Sequence, residues 1–163
     1  GEVLEAGCGV VLAVNKWDLA PAKELKQRAF EREVRETLKF LPWAPLVRVS
    51  ARTGRGLGAL VDAVDRVAAA RTVRVTTGEL NRLLARAAEA YAPKADKGNA
   101  PVRILYGSQI GTAPPTFAVS INHPVDLHFS YRRYLENRIR EAFGFEGTPI
   151  RLKVRHRRRK GSS

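Results

Sequence analysis

Four residues, Asn15-Lys16-Trp17-Asp18, follow directly on the apolar run Val10-Val11-Leu12-Ala13-Val14. Their types at this spacing read as a loop that recognises guanine as it leaves a buried strand. Guanine presents the N1 hydrogen and the 2-amino group side by side, and a carboxylate is the side chain that accepts from both at once. Asp18 is the expected acceptor. A base lacking that donor pair would leave a desolvated carboxylate without partners, so Asp18 would select GTP over ATP. The Asn15 amide can tie neighbouring loops together, and Lys16 can lay its methylene stem over one face of the purine while its ammonium stays in water. Trp17 fills the variable position. Asn-Lys-x-Asp also occurs as an ordinary surface turn, so the tetrapeptide needs a second motif beside it.

That motif follows about thirty residues on. The linker Leu41-Pro42-Trp43-Ala44-Pro45 leads into Leu46-Val47-Arg48-Val49, which runs straight into Ser50-Ala51-Arg52-Thr53-Gly54-Arg55-Gly56. Ser50 can order such a turn through its hydroxyl. Ala51 can offer a backbone N–H to the guanine 6-oxo group with no large side chain in the way, and Gly54 and Gly56 permit turn dihedrals. Arg52 completes the candidate GTP-binding set. With strand, helix and strand between them, the two loops fall at the carboxyl edge of one parallel sheet, where ligands of open α/β sheets bind.

Other parts of a GTP hydrolase do not occur in these residues. Phosphates need a Gly-x-x-x-x-Gly-Lys-Ser/Thr loop, and Mg²⁺ with the γ-phosphate needs an Asp-x-x-Gly. No Asp here has Gly three places later, there is no Met, and Gly1 opens within what reads as a helix end, Glu2 to Ala6. The expectation is a carboxyl-terminal part of a longer GTPase. It would carry the base-reading half of the site, with GTP or GDP and Mg²⁺ held by an upstream part, and alone it should be inactive, with no catalytic residue and no metal site of its own. His123, His128 and His156 lack metal-ligand spacing.

Composition points the same way. A chain of 163 residues with a net charge of +13 can bury a core in one or two domains. The single Cys8 excludes an internal disulfide framework, the apolar stretches are too short to span a membrane, and the start has no basic flank of a signal peptide, so a cytoplasmic protein is expected. Charge is uneven. Residues 1–70 carry 11 basic and 9 acidic side chains, whereas 71–163 carry 18 and 7. Such a basic domain attracts polyanions by counterion release, and RNA is the natural candidate. The run Arg155-His156-Arg157-Arg158-Arg159-Lys160 has a second reading as a solvated tail that attracts any polyanion.

The elements that would position these residues fall into two groups. Hydrophobic periodicity predicts strands at 10–14 and 46–49 and helices at 23–40 and 57–70, the closing half of a doubly wound α/β sheet. After a linker at 71–75, Thr76 and Glu79 form a capping box for a helix through Tyr91. Strands at 102–106 and 116–121, a helix capped by Ser130 and stopped by Gly144, and a last strand at 150–155 with a cationic face make a small α+β layer. The Tyr and Phe residues of this part are expected in its core rather than as base-stacking platforms. The domains are therefore read as 1–72, 73–157 and a basic tail at 158–163.

The two loop motifs, Pro114-Pro115-Thr116-Phe117, and above all Ser130-Tyr131-Arg132-Arg133-Tyr134-Leu135-Glu136-Asn137 through Ala142-Phe143-Gly144-Phe145-Glu146-Gly147-Thr148-Pro149-Ile150-Arg151 resemble the Der (EngA) family of tandem GTPases. The resemblance implies the end of a P-loop GTPase domain followed by a KH-like domain, in a bacterial GTPase that assists assembly of the large ribosomal subunit. It implies guanine contacts at Asn15, Lys16 and Asp18, supported by Ser50 and Ala51, and packing of the KH-like domain on a GTPase domain. RNA-binding KH domains clamp the nucleic-acid backbone with a Gly-x-x-Gly loop between two helices. Gly144-Phe145-Glu146-Gly147 instead follows the last helix and leads into a strand, which makes sequence-specific reading by this domain doubtful. Phosphate contacts from Arg132, Arg133, Arg138, Arg140, Lys153, Arg155, Arg157, Arg158, Arg159 and Lys160 remain open. Alternatives are an RNA-binding module with an incidental GTPase part, and an Era-like assembly GTPase with one nucleotide domain, which the absent clamp argues against.

Overall fold

The computed structural model describes residues 2–20, 24–93, 102–122 and 126–156. The chain divides into two compact units, the first comprising Gly1–Ala70 with Glu146–Thr148 and the second Arg71–Phe145 with Pro149–Ser163.

In the first unit, helix α1 (Glu2–Ala6) precedes strand β1 (Leu12–Val14), helix α2 (Glu24–Thr37), strand β2 (Leu46–Arg48) and helix α3 (Leu57–Thr72). The strands pair in parallel, with Leu12 opposite Leu46 and Val14 opposite Arg48. Parallel neighbours need a crossover, which α2 supplies. The strand expected from residue 10 begins two residues later, because the Val10 N–H is drawn off to the Gly147 carbonyl at 2.7 Å. The helix expected to residue 40 ends at Thr37, and a tighter turn, Leu41 N–H to Leu38 carbonyl at 2.8 Å, follows it. Leu41 precedes Pro42, whose ring disfavours helical geometry in the residue before it. Helix α3 outruns its expected end at residue 70 by two residues. Of the residues expected in that 23–40 helix, 23 lies outside the described set.

The second unit runs α4 (Thr77–Ala90), β3 (Ile104–Gly111), β4 (Thr116–Ile121), α5 (Phe129–Phe143) and β5 (Arg151–His156). Its sheet has the order β3-β4-β5, with β3 antiparallel and β5 parallel to β4. Thr76 and Glu79 do form the expected capping box. Gly144, at φ 80°, ends α5 with its N–H on the Arg140 carbonyl. The amino-terminal cap of that helix is His128 rather than Ser130, because the His128 ring nitrogen accepts the Ser130 N–H at 3.3 Å.

Strand β3 continues to Gly111, well past the expected end at residue 106. Gly107 is the reason. A Cβ there would lie 2.3 Å from Leu84 Cδ1, so only glycine lets the strand pass this close beneath α4. The core, from Leu80, Leu83 and Leu84 to Phe117, Val119, Ile121, Tyr131, Leu135, Ile139 and Phe145, lies between α4, α5 and one face of the sheet. Aromatic residues divide against the expectation of a common core. Phe117, Tyr131 and Phe145 are fully buried, but Tyr106 is 49% and Phe129 64% exposed. The polar stretch expected at 94–100 lies outside the described residues, as do 157–163.

Candidate functional site

The loop after β1 is shaped by one backbone reversal and a net of hydrogen bonds. Lys16 adopts left-handed geometry, φ 58°, which Asn15 supports by accepting the Lys16 N–H on Oδ1 at 2.7 Å. The same oxygen accepts the Ala51 N–H at 3.0 Å. Asn15 therefore stitches the two loops together as its chemistry suggested. It also engages the Ala51 N–H that was expected to meet the base. Trp17 N–H donates to the Val49 carbonyl at 3.0 Å, which fixes the entry of the short 3-10 turn Trp17–Leu19.

The second loop is folded on itself. Ser50 N–H donates to the Arg55 carbonyl and Gly54 N–H to the Ser50 carbonyl, each at 2.9 Å. Gly56 closes the turn at φ 80°, where a Cβ would lie 2.0 Å from the Arg48 carbonyl oxygen.

Both loops meet at Asp18. Its Oδ1 accepts the Ser50 hydroxyl at 2.6 Å, and its Oδ2 accepts from Arg52 Nε at 3.0 Å and Nη2 at 2.7 Å. The Ser50 hydrogen bond, and after it that of Arg52, holds the carboxyl below its ordinary value. Asp18 is thus an ionised acceptor, and the Arg52 guanidinium presents to it two adjacent N–H groups. That is the donor pattern of a guanine edge. The Arg52 side chain is 76% exposed, so an exchange of partners at Asp18 costs little burial.

Of the seven candidate residues, Asn15, Lys16, Asp18, Ser50, Ala51 and Arg52 come together on these loops. Trp17 is placed differently. It is buried, 6.0 Å from Phe30 between ring centroids, with the Arg48 guanidinium 5.0 Å above its ring. Its part is to seat the loop on the unit's interior. Among the described residues no group of three or more His, Cys, Asp or Glu side chains could hold a metal ion.

The basic candidates of the second unit are scattered, and several are already engaged. Arg132 pairs with Asp126, and Arg138 with Glu141 at 2.8 Å. Arg140 donates to the Phe145 carbonyl just beyond its helix end, and burial pulls it down to about 10 against the opposing pull of Glu136. Arg133, Lys153 and Arg155 are exposed. Arg157, Arg158, Arg159 and Lys160 lie outside the described residues. Arg151, absent from the candidate set, stands exposed in the same strand row as Lys153 and Arg155. The alternation of β5 was a signal that could have included it.

Two hydrogen-bonded loops at the carboxyl end of parallel strands, followed by a three-stranded α+β unit, define an α/β unit joined to a KH-like module. Residues 74–155 match the family described as the KH-domain-like, C-terminal part of EngA bacterial GTPase enzymes. The chain belongs to that family. It is similar to proteins named GTPase Der: 48% identical over 161 residues to that of Thermomicrobium roseum, 45% over 157 residues to that of Desulfitobacterium hafniense, and 41% over 157 residues to that of Caldanaerobacter subterraneus. These alignments cover 96–98% of this chain and 35–36% of each relative. The chain thus spans about a third of the length of the curated relatives it matches. Among the described residues no helix is long and apolar enough to cross a membrane.

Proposed function

We propose that these residues are the base-reading and carboxyl-terminal part of a GTP-binding and GTP-hydrolysing protein that assists assembly of the large ribosomal subunit. One observation carries the nucleotide half of this reading. The Asp18 carboxylate is ionised, fixed by Ser50, and already engaged by two adjacent N–H donors of Arg52. Guanine replaces Arg52 at that carboxylate, with Lys16 flanking the ring and Asn15 holding the loops in register. The phosphates and Mg²⁺ are bound by the additional length that relatives named GTPase Der possess, which is also where the hydrolytic groups lie.

The ribosomal half rests on the family resemblance and on the charge of the second unit, whose exposed cations suit ribosomal RNA phosphates. The protein works in the cytoplasm, where its nucleotide and its ribosomal partner are found.

Asp18→Asn in the complete gene product tests the nucleotide reading. An amide can donate to the 2-oxo group of xanthine but no longer accepts both guanine donors, so steady-state hydrolysis should switch in preference from GTP to xanthosine triphosphate. Unchanged GTP preference, with any other nucleotide domain disabled, would remove Asp18 from the site.

A further inference from the structure

The second unit's sheet has one face under its helices and one face free of them. Gly107, Val119 and Val154 align across β3, β4 and β5, and the place of a Gly107 Cβ is filled by Leu84 of α4, so this row faces the helices. Successive side chains on a strand point to opposite faces. The adjoining rows, Tyr106-Ser120-Arg155 and Ser108-Ala118-Lys153, therefore point away from α4 and α5. Arg151, opposite Thr116, extends the β5 column to three exposed cations at alternate positions. Between the cations and Tyr106 runs a column of small side chains, Thr116, Ala118 and Ser120. None of the three strands contains an Asp or a Glu.

We propose that this open sheet face binds single-stranded RNA, with a base stacked on Tyr106 and the backbone phosphates following Arg151, Lys153 and Arg155. The proposal deepens the ribosomal reading above and rests on its RNA partner. Each feature of the face fits that occupant. Alternate residues on a strand stand roughly 6.5 Å apart, near the separation of neighbouring phosphates in an extended strand. A half-exposed tyrosine supplies a π-face of the sort that single-strand binders use. Strands without carboxylates avoid the repulsion that such groups would exert on phosphates. A duplex satisfies the cations but keeps its bases stacked inside, so the aromatic makes the face selective for unpaired RNA. The site lies on strands rather than between helices, and it needs no Gly-x-x-Gly clamp.

The test is fluorescence anisotropy of the 163-residue chain with a labelled single strand of roughly 12 uridines, beside an RNA duplex of similar length. Tyr106→Ala should weaken single-strand binding about 5- to 100-fold, the loss of one stacked base. Tyr106→Phe, which keeps the ring, should bind like the parent and thereby exclude a folding defect. Lys153→Ala should lower the slope of log affinity against log salt by roughly 0.7. Binding that ignores Tyr106→Ala and accepts the duplex equally would overturn the stacking face while leaving a phosphate-based ribosomal role intact. No binding of either RNA at low salt would overturn the face and the RNA part of the ribosomal reading together.

Discussion

The two units are held together in different ways. Every member of the large buried core, from Val75 and Leu80 to Ile150 and Leu152, lies in the second unit, where three strands and two helices enclose Phe117, Tyr131, Leu135 and Phe145. The first unit has a two-stranded sheet, buries mostly small or medium residues such as Ala44, Val49, Ala63 and Val67, and leaves Phe40, Val61 and Val64 about half exposed. Two strands are marginal without further support. What is well determined there is the loop pair, through Asn15, Asp18, Ser50 and two left-handed glycines. The loop geometry is thus fixed by a polar net on a thin support, and the second unit by dense apolar packing. The difference shows that a loop pair can be pre-organised locally even where packing is sparse.

The aromatic residues give each unit its own signal, since both tryptophans, Trp17 and Trp43, fall in the first unit and all four tyrosines in the second. Phe117→Ala should have the largest effect, destabilising the second unit by about 3–5 kcal/mol through lost burial and a cavity. In denaturant the tyrosine near-ultraviolet transition should move to lower concentration while tryptophan emission moves much less. Coincident shifts would break the comparison by showing one cooperative body.

Gly56→Ala probes the other side. Left-handed geometry together with contact on the Arg48 carbonyl should cost about 2 kcal/mol or more. The loss should appear in tryptophan emission, with the tyrosine transition unmoved.

The smallest expected effect is one of pH. Burial raises the Glu136 carboxyl above its usual 4.5. The protonated form is then favoured on folding, so this contribution is complete below 4.5 and is lost as pH rises through the raised value. Glu79 and Asp126 are held low, and their contributions fall away only at more acid pH, in the opposite sense. Glu136→Gln should therefore flatten the decline of the tyrosine-detected melting temperature as pH rises above 4.5.

What was legible in the sequence was local chemistry. The Asn15 and Asp18 motif, the Ser50 turn, the Thr76–Glu79 box and the Gly144 stop each announce themselves within a few residues, and the structure has the elements they mark. The α/β and α+β layout followed from periodicity. What could not be read depended on partners distant in the chain. Gly107 is a strand residue only because Leu84 approaches it, and Val10 leaves the ladder only because Gly147 takes its N–H. Tyr106 looked like core because an alternating strand does not say which face its helices will cover. His128 outcompeted Ser130 as a cap because a ring nitrogen two residues upstream can accept the first free N–H.

Glu146–Thr148 belongs to the first unit although it follows almost all of the second. Gly147 returns two hydrogen bonds there, accepting from Val10 and donating to the Trp43 carbonyl at 3.0 Å, and its own missing side chain leaves space that Val67 fills. The first unit is therefore discontinuous in the polypeptide. No single scission separates the two units: a peptide ending after Thr72 would lose a strap of its own interior, and one starting at Val73 would carry that strap away as an orphan. Dividing this protein along its units means sorting four chain segments, not two.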